Sequence, residues 1–528
     1  MRTRRAFNDR RIPYLVLALL FLLAFYIRVE PYLYAPDIPY GLRDAAFHYQ
    51  VGKLLFEGKS PSFVWNGLGI NLRHENFYYP PLSYYVPAYA ARLTGDFQHT
   101  VYVVAALFCS LAVVSTFLLV RELFGDYPAL AGATFIALSI RDVSSQIWGQ
   151  WHSSYSLVFA PLIIYFGMKS LKDGRFLYLC SLSAGLCLLT YPQTILIPLL
   201  SLVFFIVLST DGRLPWKGTD ILGSIVLFAL LALPMIPGTN SLVGHAEGEG
   251  SGAPGFVSSL IRWYPADFEK VQAYPKEWYD PIGNYSVFGI LLIASGAIIL
   301  FKDRSPQGRR AFLLIVAMIL AFYLAVHLTQ LLSLMRALKL IVLEPYIFAV
   351  AFAAPFSKKI VKDKRVKVAA VILLAFFILW QARLLYGVGE RLFPIGIRLT
   401  PNEMAALDYL REKTGDRSLV AFFGNNDVML DWGTVLSERL LLAPKNGGFY
   451  IENEPVKLSG EVYFLFDANM PFMDNNRRQE EVQKLIDLNT MLQNTSVISY
   501  ANDEVVIRRY IAYDPSKYSV EVVQEPRG

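Results

Sequence analysis

Long apolar runs recur along this chain, and they set the strongest limit on what it can fold into. Many are near the roughly 20 residues that a helix needs to cross the hydrocarbon core of a bilayer. Hydrophobic residues make up 54% of the 528 residues and charged residues only 17%, which is too little charge for a soluble surface. The sequence therefore predicts a polytopic α-helical membrane protein.

About eleven membrane-spanning helices are predicted. The first apolar run, Ile12 to Tyr32, follows the basic start MRTRRAFNDRR and is too long for the apolar core of a signal peptide, so we expect a retained helix. The other spans are predicted near residues 100–120, 127–141, 154–171, 176–191, 192–209, 219–238, 285–301, 311–331, 339–356 and 368–386.

Basic residues are concentrated in alternate loops, which predicts the orientation of the chain. If the N-terminus is cytoplasmic, the basic segments 169–175, 213–217, 302–310 and 357–367 all lie inside. The loops 34–99 and 240–284 then lie on the outer face of the cell membrane. The net charge of +6 is thus explained by topology, and no nucleic-acid partner is expected.

Two domains are expected, a transmembrane domain over residues 1–386 and an extracytoplasmic α/β domain over 387–528. The second should begin with a helix over 400–415, because Thr400 can cap it and Pro401 suits its first position. Strands are expected at Ser418–Phe423, Glu461–Phe466, Val497–Tyr500 and Glu504–Arg509, with a helix near 478–491. In the first outer loop, the spacing of apolar residues from Asp44 to Gly58 predicts a helix along the membrane surface.

Arg43-Asp44 and His48 form the first candidate site, directly after the first span. Asp44 and His48 are four residues apart, so they share one face of a helix. A carboxylate beside an imidazole can act as a base or bind a metal. The alternative is an ordinary helix start, where the helix dipole favours aspartate.

A second candidate is the short outer turn from Arg141 to Ser154, RDVSSQIWGQWHSS. It brings Arg141, Asp142, Gln150 and His152 between two predicted spans. The alternative is a solvated turn with tryptophans at the membrane interface.

Arg336 is the third candidate, in the segment HLTQLLSLMRALKLIVLEPY. A cation in or beside a membrane segment is costly unless it is paired or hydrated, so it suggests a functional site. An arginine whose side chain reaches up to the interface is the alternative.

The layout resembles the GT-C class of polyprenyl-phosphate-dependent glycosyltransferases, nearest the catalytic subunit of archaeal and bacterial oligosaccharyltransferases. Four segments carry the resemblance. They are RDAAFHYQVGKLLFEG at the start of the first outer loop, YYPPLSYY with Tyr79, MRALKLIVLEPY with Arg336, and DVMLDWGTVLSERLLLAPKN. The last is similar to the family's Trp-Trp-Asp-Tyr-Gly segment, of which Asp431-Trp432-Gly433 remains.

The resemblance implies transfer of a sugar or oligosaccharide from a polyprenyl-phosphate or polyprenyl-diphosphate donor to an acceptor at the outer face. The acceptor class, whether protein, lipid or glycan, stays open. By this resemblance Asp44 is the catalytic acid, base or metal ligand and His48 assists it. Asp431 and Trp432 bind the acceptor. Contacts with the substrate or lipid phosphate come from Arg43, Tyr79, Arg141, Asp142, His152 and Arg336.

A divalent cation, Mg²⁺ or Mn²⁺, is the cofactor that the resemblance implies, with Asp44, Asp142 and His152 as its ligands. The sequence departs from the family here, because the place of the second Asp-x-Glu motif reads Gln150-Trp151-His152. A metal-independent enzyme is therefore an open alternative.

Two other functions are compatible with this sequence. A non-catalytic carrier or assembly protein for lipids or polysaccharides is favoured by the missing second acidic motif. A secondary transporter is disfavoured, since transporters usually show paired repeats with polar residues near the midplane, whereas the polar residues here lie towards the predicted outer face.

Overall fold

The described residues up to Leu392 are mainly helical, and a small α/β unit follows them. The computed structural model describes residues 11–58, 81–209, 214–233, 281–331, 344–392, 397–415, 418–424, 426–442, 456–458, 461–470, 475–511 and 520–522.

Ten helices lie in the first half of the described chain. They are α1 (Ile12–Tyr34), α2 (Arg43–Phe56), α3 (Leu82–Thr94), α4 (Phe97–Phe124), α5 (Asp126–Ala137), α6 (Ile140–Ile147), α7 (Trp151–Ser170), α8 (Phe176–Thr190), α9 (Leu196–Ser209) and α10 (Gly218–Ala232). The helix predicted after the first span is thus confirmed as α2. The predicted span 127–141 is wrong in its extent, because α5 ends at Ala137 and α6 begins after the extended residue Ser139.

Five more helices are described between residues 281 and 392. They are α11 (Pro281–Lys302), α12 (Pro306–Leu331), α13 (Glu344–Ala353), α14 (Lys364–Leu385) and α15 (Val388–Leu392). Helix α11 is kinked at Ser286, whose φ is 56°. The predicted loop 240–284 lies mostly outside the described residues, apart from the first turn of α11.

Within the described part of the chain, five helices are long and apolar enough to cross a membrane, and four further apolar helices are shorter. Leucines on the outward side of α1, such as Leu15 and Leu19, are more than half exposed, which suits contact with lipid tails. The chain is therefore a multi-pass membrane protein. The count of eleven spans stays a prediction.

The final unit contains a mixed five-stranded sheet with the strand order β2-β1-β4-β6-β5. Strand β1 is parallel to β2 and β4, while β6 is antiparallel to β4 and β5. The strands are β1 (Leu419–Phe423), β2 (Leu440–Leu442), β4 (Val462–Asp467), β5 (Ser496–Ala501) and β6 (Val505–Tyr510). A separate antiparallel pair joins β3 (Val456–Leu458) to β7 (Val520–Val522). All four predicted strands are confirmed.

Three helices accompany this sheet: α16 (Pro401–Lys413), α17 (Asp427–Ser437) and α18 (Asn475–Met491). The predicted cap of α16 is present, since the Thr400 hydroxyl accepts from the Glu403 amide at 3.1 Å. The Glu403 carboxylate in turn accepts from the Thr400 amide at 2.7 Å. These reciprocal bonds satisfy two donors that the helix start leaves open, and so fix where α16 begins.

The sheet unit joins the helical bundle next to the end of α1. Arg398 forms an antiparallel bridge with Tyr40, and the Gly41 amide donates to the Ile397 carbonyl at 2.9 Å. Helix α17 packs on α2 beside this bridge. The first predicted outer segment, which joins α1 to α2 over residues 35–42, therefore lies between the bundle and the sheet unit.

Candidate active site

The start of α2 is packed tightly against the turn between α6 and α7. The Leu42 amide donates to the Trp148 carbonyl at 2.9 Å. Gly149 has a φ of 97°, and a Cβ on it would lie 2.3 Å from the Cβ of Ala45. Only glycine permits this approach. The two candidate segments found in the sequence are thus brought together.

His48 and His152 meet at this junction. The Nε2 atom of His48 lies 2.8 Å from Nδ1 of His152, and both side chains are buried. A hydrogen bond between these two nitrogens requires one to carry the hydrogen and the other to accept it. The His152 ring packs edge-on against Tyr191 with the ring centres 4.6 Å apart. The pair can therefore hold or pass a proton in surroundings that exclude water.

Asp44 occupies the first turn of α2, one helical turn before His48. Its side chain is partly buried. An anionic carboxylate is favoured at a helix N-terminus by the helix dipole. The structure thus places Asp44 at the same end of α2 as the histidine pair.

Asp142 is fully buried and forms an ion pair with Arg28 of α1. Arg28 also donates to the Ala24 carbonyl at 3.0 Å. The predicted role of Asp142 in binding substrate or metal stays untested, but one of its oxygens is engaged by a protein cation. Arg28 was not among the residues predicted from the sequence, although a cation in an apolar span is itself a signal.

Arg141 is buried beside Asp142 on α6, with its guanidinium 5.6 Å from the ring centre of Tyr285 on α11. The segment from Arg141 to Ser154 is therefore not a solvated turn. It consists of α6, a three-residue link and the start of α7, and most of its side chains are buried. The apolar residues of α6 hold it against the neighbouring helices, which explains the burial.

Stacked aromatic rings, which were not predicted as site residues, lie beside the segment that joins α1 to α2. Tyr102 stacks between Tyr32 and Tyr40, with ring centres 5.1 and 4.5 Å away. The buried Arg398 lies over the Tyr40 ring at 5.1 Å. Arg398 is too far along the sequence for local spacing to connect it with Tyr40.

Trp432 is fully buried on α17. Its indole nitrogen donates to the Gly41 carbonyl at 2.9 Å, and its ring packs against Tyr49 with the centres 5.3 Å apart. It therefore contacts both α2 and the segment that joins α1 to α2. The acceptor contact predicted for it stays a prediction.

For four other predicted residues, the structure describes at most the helix in which they lie. Arg43 begins α2 and Asp431 lies within α17. Tyr79 and Arg336 lie outside the described residues.

The described side chains near the histidine pair do not make a conventional metal site. Among the described residues, no group of three histidine, cysteine, aspartate or glutamate side chains is arranged to hold a metal ion. Asp142 is committed to Arg28, and two facing ring nitrogens of His48 and His152 are committed to each other. The expected set of Asp44, Asp142 and His152 therefore does not fit a divalent cation.

A second polar cluster lies in the sheet unit, where β1 and β4 end. Asn426 donates to Glu403 at 2.7 Å and to Asp467 at 3.1 Å, and Asn469 donates to Glu403 at 2.8 Å. Burial raises the pKa of the Glu403 carboxyl. Burial, and then repulsion from Glu403, raises the pKa of Asp467 well above its ordinary value.

The chain matches a family model over part of its length. The model, described as dolichyl-phosphate-mannose-protein mannosyltransferase, matches residues 78–237. This stretch includes α6, the α6–α7 turn and His152. Among curated protein sequences, none matches this chain significantly.

Solved structures of membrane glycosyltransferases share the fold. The oligosaccharyltransferase of Archaeoglobus fulgidus in its apo form is 15% identical, with a TM-score of 0.52 over 88% of this chain and 70% of that chain. ArnT from Cupriavidus metallidurans, bound to undecaprenyl phosphate, is 12% identical, with a TM-score of 0.51 over 95% of this chain and 98% of that chain. The arabinofuranosyltransferase AftD from Mycobacteria is 14% identical, with a TM-score of 0.52 over 95% of this chain and 40% of that chain.

The neighbours confirm the resemblance inferred from the sequence. The oligosaccharyltransferase and the arabinofuranosyltransferase are glycosyltransferases by their descriptions, ArnT is described with bound undecaprenyl phosphate, and the family model describes a mannosyltransferase. The chain therefore has the fold of the GT-C membrane glycosyltransferases, and the family match together with this fold supports a glycosyltransferase.

Proposed function

We propose that this protein transfers a sugar or oligosaccharide from a polyprenyl-phosphate or polyprenyl-diphosphate donor to an acceptor at the outer face of the cell membrane. The observation that carries the proposal is the junction of α2 with the α6–α7 turn. There His48 contacts His152, and Asp44 precedes His48 by one helical turn on α2. The undecaprenyl phosphate bound by ArnT and the dolichyl-phosphate-mannose of the matching family model support the donor class.

The reaction is a substitution at the anomeric carbon of the donor sugar. A nucleophilic atom of the acceptor forms a bond to this carbon while the bond from the carbon to the lipid phosphate oxygen breaks. The phosphate leaves with the electron pair, and the acceptor loses a proton to a base. The enzyme must therefore supply a base for the acceptor and positive charge near the leaving phosphate.

Asp44 is the proposed base. The pair of His48 and His152 takes up or returns the proton, because two imidazole nitrogens 2.8 Å apart can exchange one hydrogen. Arg141 and Arg336 are proposed contacts of the lipid phosphate, together with Arg43 and Tyr79. The roles of Asp44, the histidine pair and Arg141 rest on their positions and on the resemblance, and those of Arg43, Tyr79 and Arg336 rest on the resemblance.

The proposed topology follows the distribution of basic residues. The N-terminus lies in the cytoplasm, and the unit over 387–528 lies outside, where it faces the acceptor with Asp431 and Trp432. The transmembrane domain over 1–386 holds the polyprenyl chain among membrane lipids.

The direct test compares Asp44→Asn with Asp37→Asn. Asp37 is an exposed carboxylate in the same outer segment and serves as the matched control. The purified variants are incubated with radiolabelled undecaprenyl-phosphate and undecaprenyl-diphosphate sugars and membrane extract. We expect Asp44→Asn to lower transfer by about 10²- to 10⁴-fold, as loss of a general base does, and Asp37→Asn to keep it within about twofold.

Full transfer by Asp44→Asn would remove Asp44 from the mechanism. If the wild type transfers no label from any donor but still binds the lipid, the alternative of a carrier or assembly protein on the same scaffold replaces the proposal. Treatment of the wild type with a chelator gives a separate answer on the cofactor, since an essential cation requires the transfer to stop and to return with Mg²⁺ or Mn²⁺.

A further inference from the structure

The peptide group on each side of Gly41 is fixed by the sheet unit. The Gly41 amide donates to the Ile397 carbonyl at 2.9 Å. The Gly41 carbonyl accepts from the indole nitrogen of Trp432, also at 2.9 Å. Both partners are distant in sequence. Gly41 is thus hydrogen-bonded through its amide and through its carbonyl by residues at the start of the sheet unit and within it.

The space around Gly41 leaves little freedom to move. Its φ is 108°, and a Cβ there would lie 2.5 Å from the Cβ of Ala45. The next residue, Leu42, donates to Trp148 in the α6–α7 turn at 2.9 Å and accepts from the Ala45 amide at 2.7 Å. The last bond closes the first turn of α2, which contains Asp44. Gly41 and Leu42 therefore connect the sheet unit, the α6–α7 turn and the proposed base.

The side chain of Trp432 links the sheet unit to α2 both by its indole nitrogen and by the face of its ring. The indole is fully buried and packs against Tyr49, which lies on α2 itself. The buried Arg398 covers Tyr40, the residue before Gly41. Helix α17 thus contacts α2 through the Trp432 ring. It also donates a hydrogen bond to Gly41, the residue before the N-cap of α2.

We propose that Trp432 is a positioning residue that sets where Asp44 stands relative to the histidine pair. This inference rests on the proposed function of Asp44, and it gives Trp432 a task distinct from binding an acceptor. Loss of the indole donor leaves the Gly41 carbonyl without that bond, and the start of α2 then samples other positions. The effect is on the rate of the bound substrate's reaction rather than on donor binding.

The experiment compares Trp432→Phe with Trp216→Phe in the full-length protein. Phenylalanine keeps an aromatic ring and removes only the indole donor. Trp216 is the matched control, because its indole nitrogen donates to the Ser170 carbonyl at 3.0 Å, in a different part of the chain. Two quantities are measured: amide hydrogen exchange over residues 40–48, and transfer from radiolabelled undecaprenyl-phosphate mannose to membrane extract.

We expect Trp432→Phe to speed amide exchange at residues 40–48 by about tenfold, as loss of one buried hydrogen bond does. The kcat should fall by about the same factor while KM for the donor stays unchanged. Trp216→Phe should change neither quantity. If Trp432→Phe does not fold, Tyr49→Leu, which removes the ring contact between α2 and α17, takes its place.

Unchanged exchange in Trp432→Phe overturns the proposal, as does faster exchange with an unchanged kcat. A rise in KM with an unchanged kcat also overturns it and returns Trp432 to a substrate-binding role. If the wild type transfers no sugar from this or any other polyprenyl donor, the proposed function fails and the positioning role fails with it. The exchange measurement then still decides whether Trp432 fixes Gly41.

Discussion

Arg28 and Asp142 form a charged pair that is sealed from water by the helices around it. Both side chains have no exposed surface. Moving either charge out of water is costly, and their mutual attraction offsets this only while both are present. Arg28 reduces the cost further by donating to the Ala24 carbonyl at 3.0 Å and the Ala137 carbonyl at 3.4 Å. The pair therefore joins α1 to the α5–α6 corner.

Arg28→Met should destabilise the protein by about 3–5 kcal/mol, because it leaves Asp142 buried without its cation. The double variant Arg28→Met with Asp142→Leu should recover most of this loss. The free energy of unfolding in detergent, measured by denaturant titration, tests both. The control is Arg121→Met, which breaks an exposed pair with Asp126 and should cost about 1 kcal/mol or less. A double variant as unstable as the sum of its two singles would contradict this account.

Spacing in the sequence found Asp44, His48 and His152, because each carries a reactive group near a predicted membrane boundary. It did not find Arg28 or Arg398. The partners of these two arginines lie 114 and 358 residues away in the chain, and only the fold brings them together. Local patterns carry no information about such contacts, so the candidate residues were predictable and their pairing was not.

At the scale of elements, several acidic side chains lie close together where β1 and β4 end. Glu403 and Asp467 share the amide of Asn426, and the same Asn426 caps α17 by accepting from the Met429 amide at 3.2 Å. Of the described groups, Glu504 also faces this cluster, through its bond from the Thr400 hydroxyl. Three acidic groups therefore adjoin one helix cap.

The folded sheet unit should lose stability as the pH rises. Because the pKa of Glu403 and of Asp467 is raised on folding, their contribution is fully present below the ordinary carboxyl pKa of about 4 and is lost as the pH rises through the raised values. Asp467→Asn should therefore reduce the fall in thermal midpoint between pH 4 and pH 8. Scanning fluorimetry of the full chain measures this fall.

The control for that experiment is Asp503→Asn, an exposed carboxylate in the turn before β6. It should follow the wild type at every pH. An equal fall in the wild type and in Asp467→Asn would mean that other groups cause the pH dependence.

The sequence predicted most elements well, since their signals are local. The cap and Pro401 located α16, and short strand-like runs located β1, β4, β5 and β6. The segment around Ser139 was misjudged, because a continuous apolar stretch does not show where one helix ends and the next begins at an angle to it. Strand order was not predicted, as pairing depends on distant residues.

At the scale of the whole molecule, the proposed orientation can be tested by labelling. The three native cysteines are buried and should give little background. Gln479→Cys on α18 is exposed and should react with a membrane-impermeant maleimide in intact cells. Arg175→Cys, at a site whose side chain is 82% exposed in a predicted inner loop, should react only after the cells are opened. The reverse pattern would invert the topology, and labelling of both would contradict a single orientation.

The hydrogen bond between Trp432 and Gly41 joins residues that are 391 positions apart in the sequence, so the two leave the ribosome at different times. At a synthesis rate of about 5–20 residues per second, Gly41 leaves the ribosome about 20–80 seconds before Trp432 does. During this interval the first outer segment lacks its later partners. A chain that stops before Trp432 therefore lacks the contact that holds Gly41 and the start of α2, and we expect such prematurely terminated products to transfer little or no sugar.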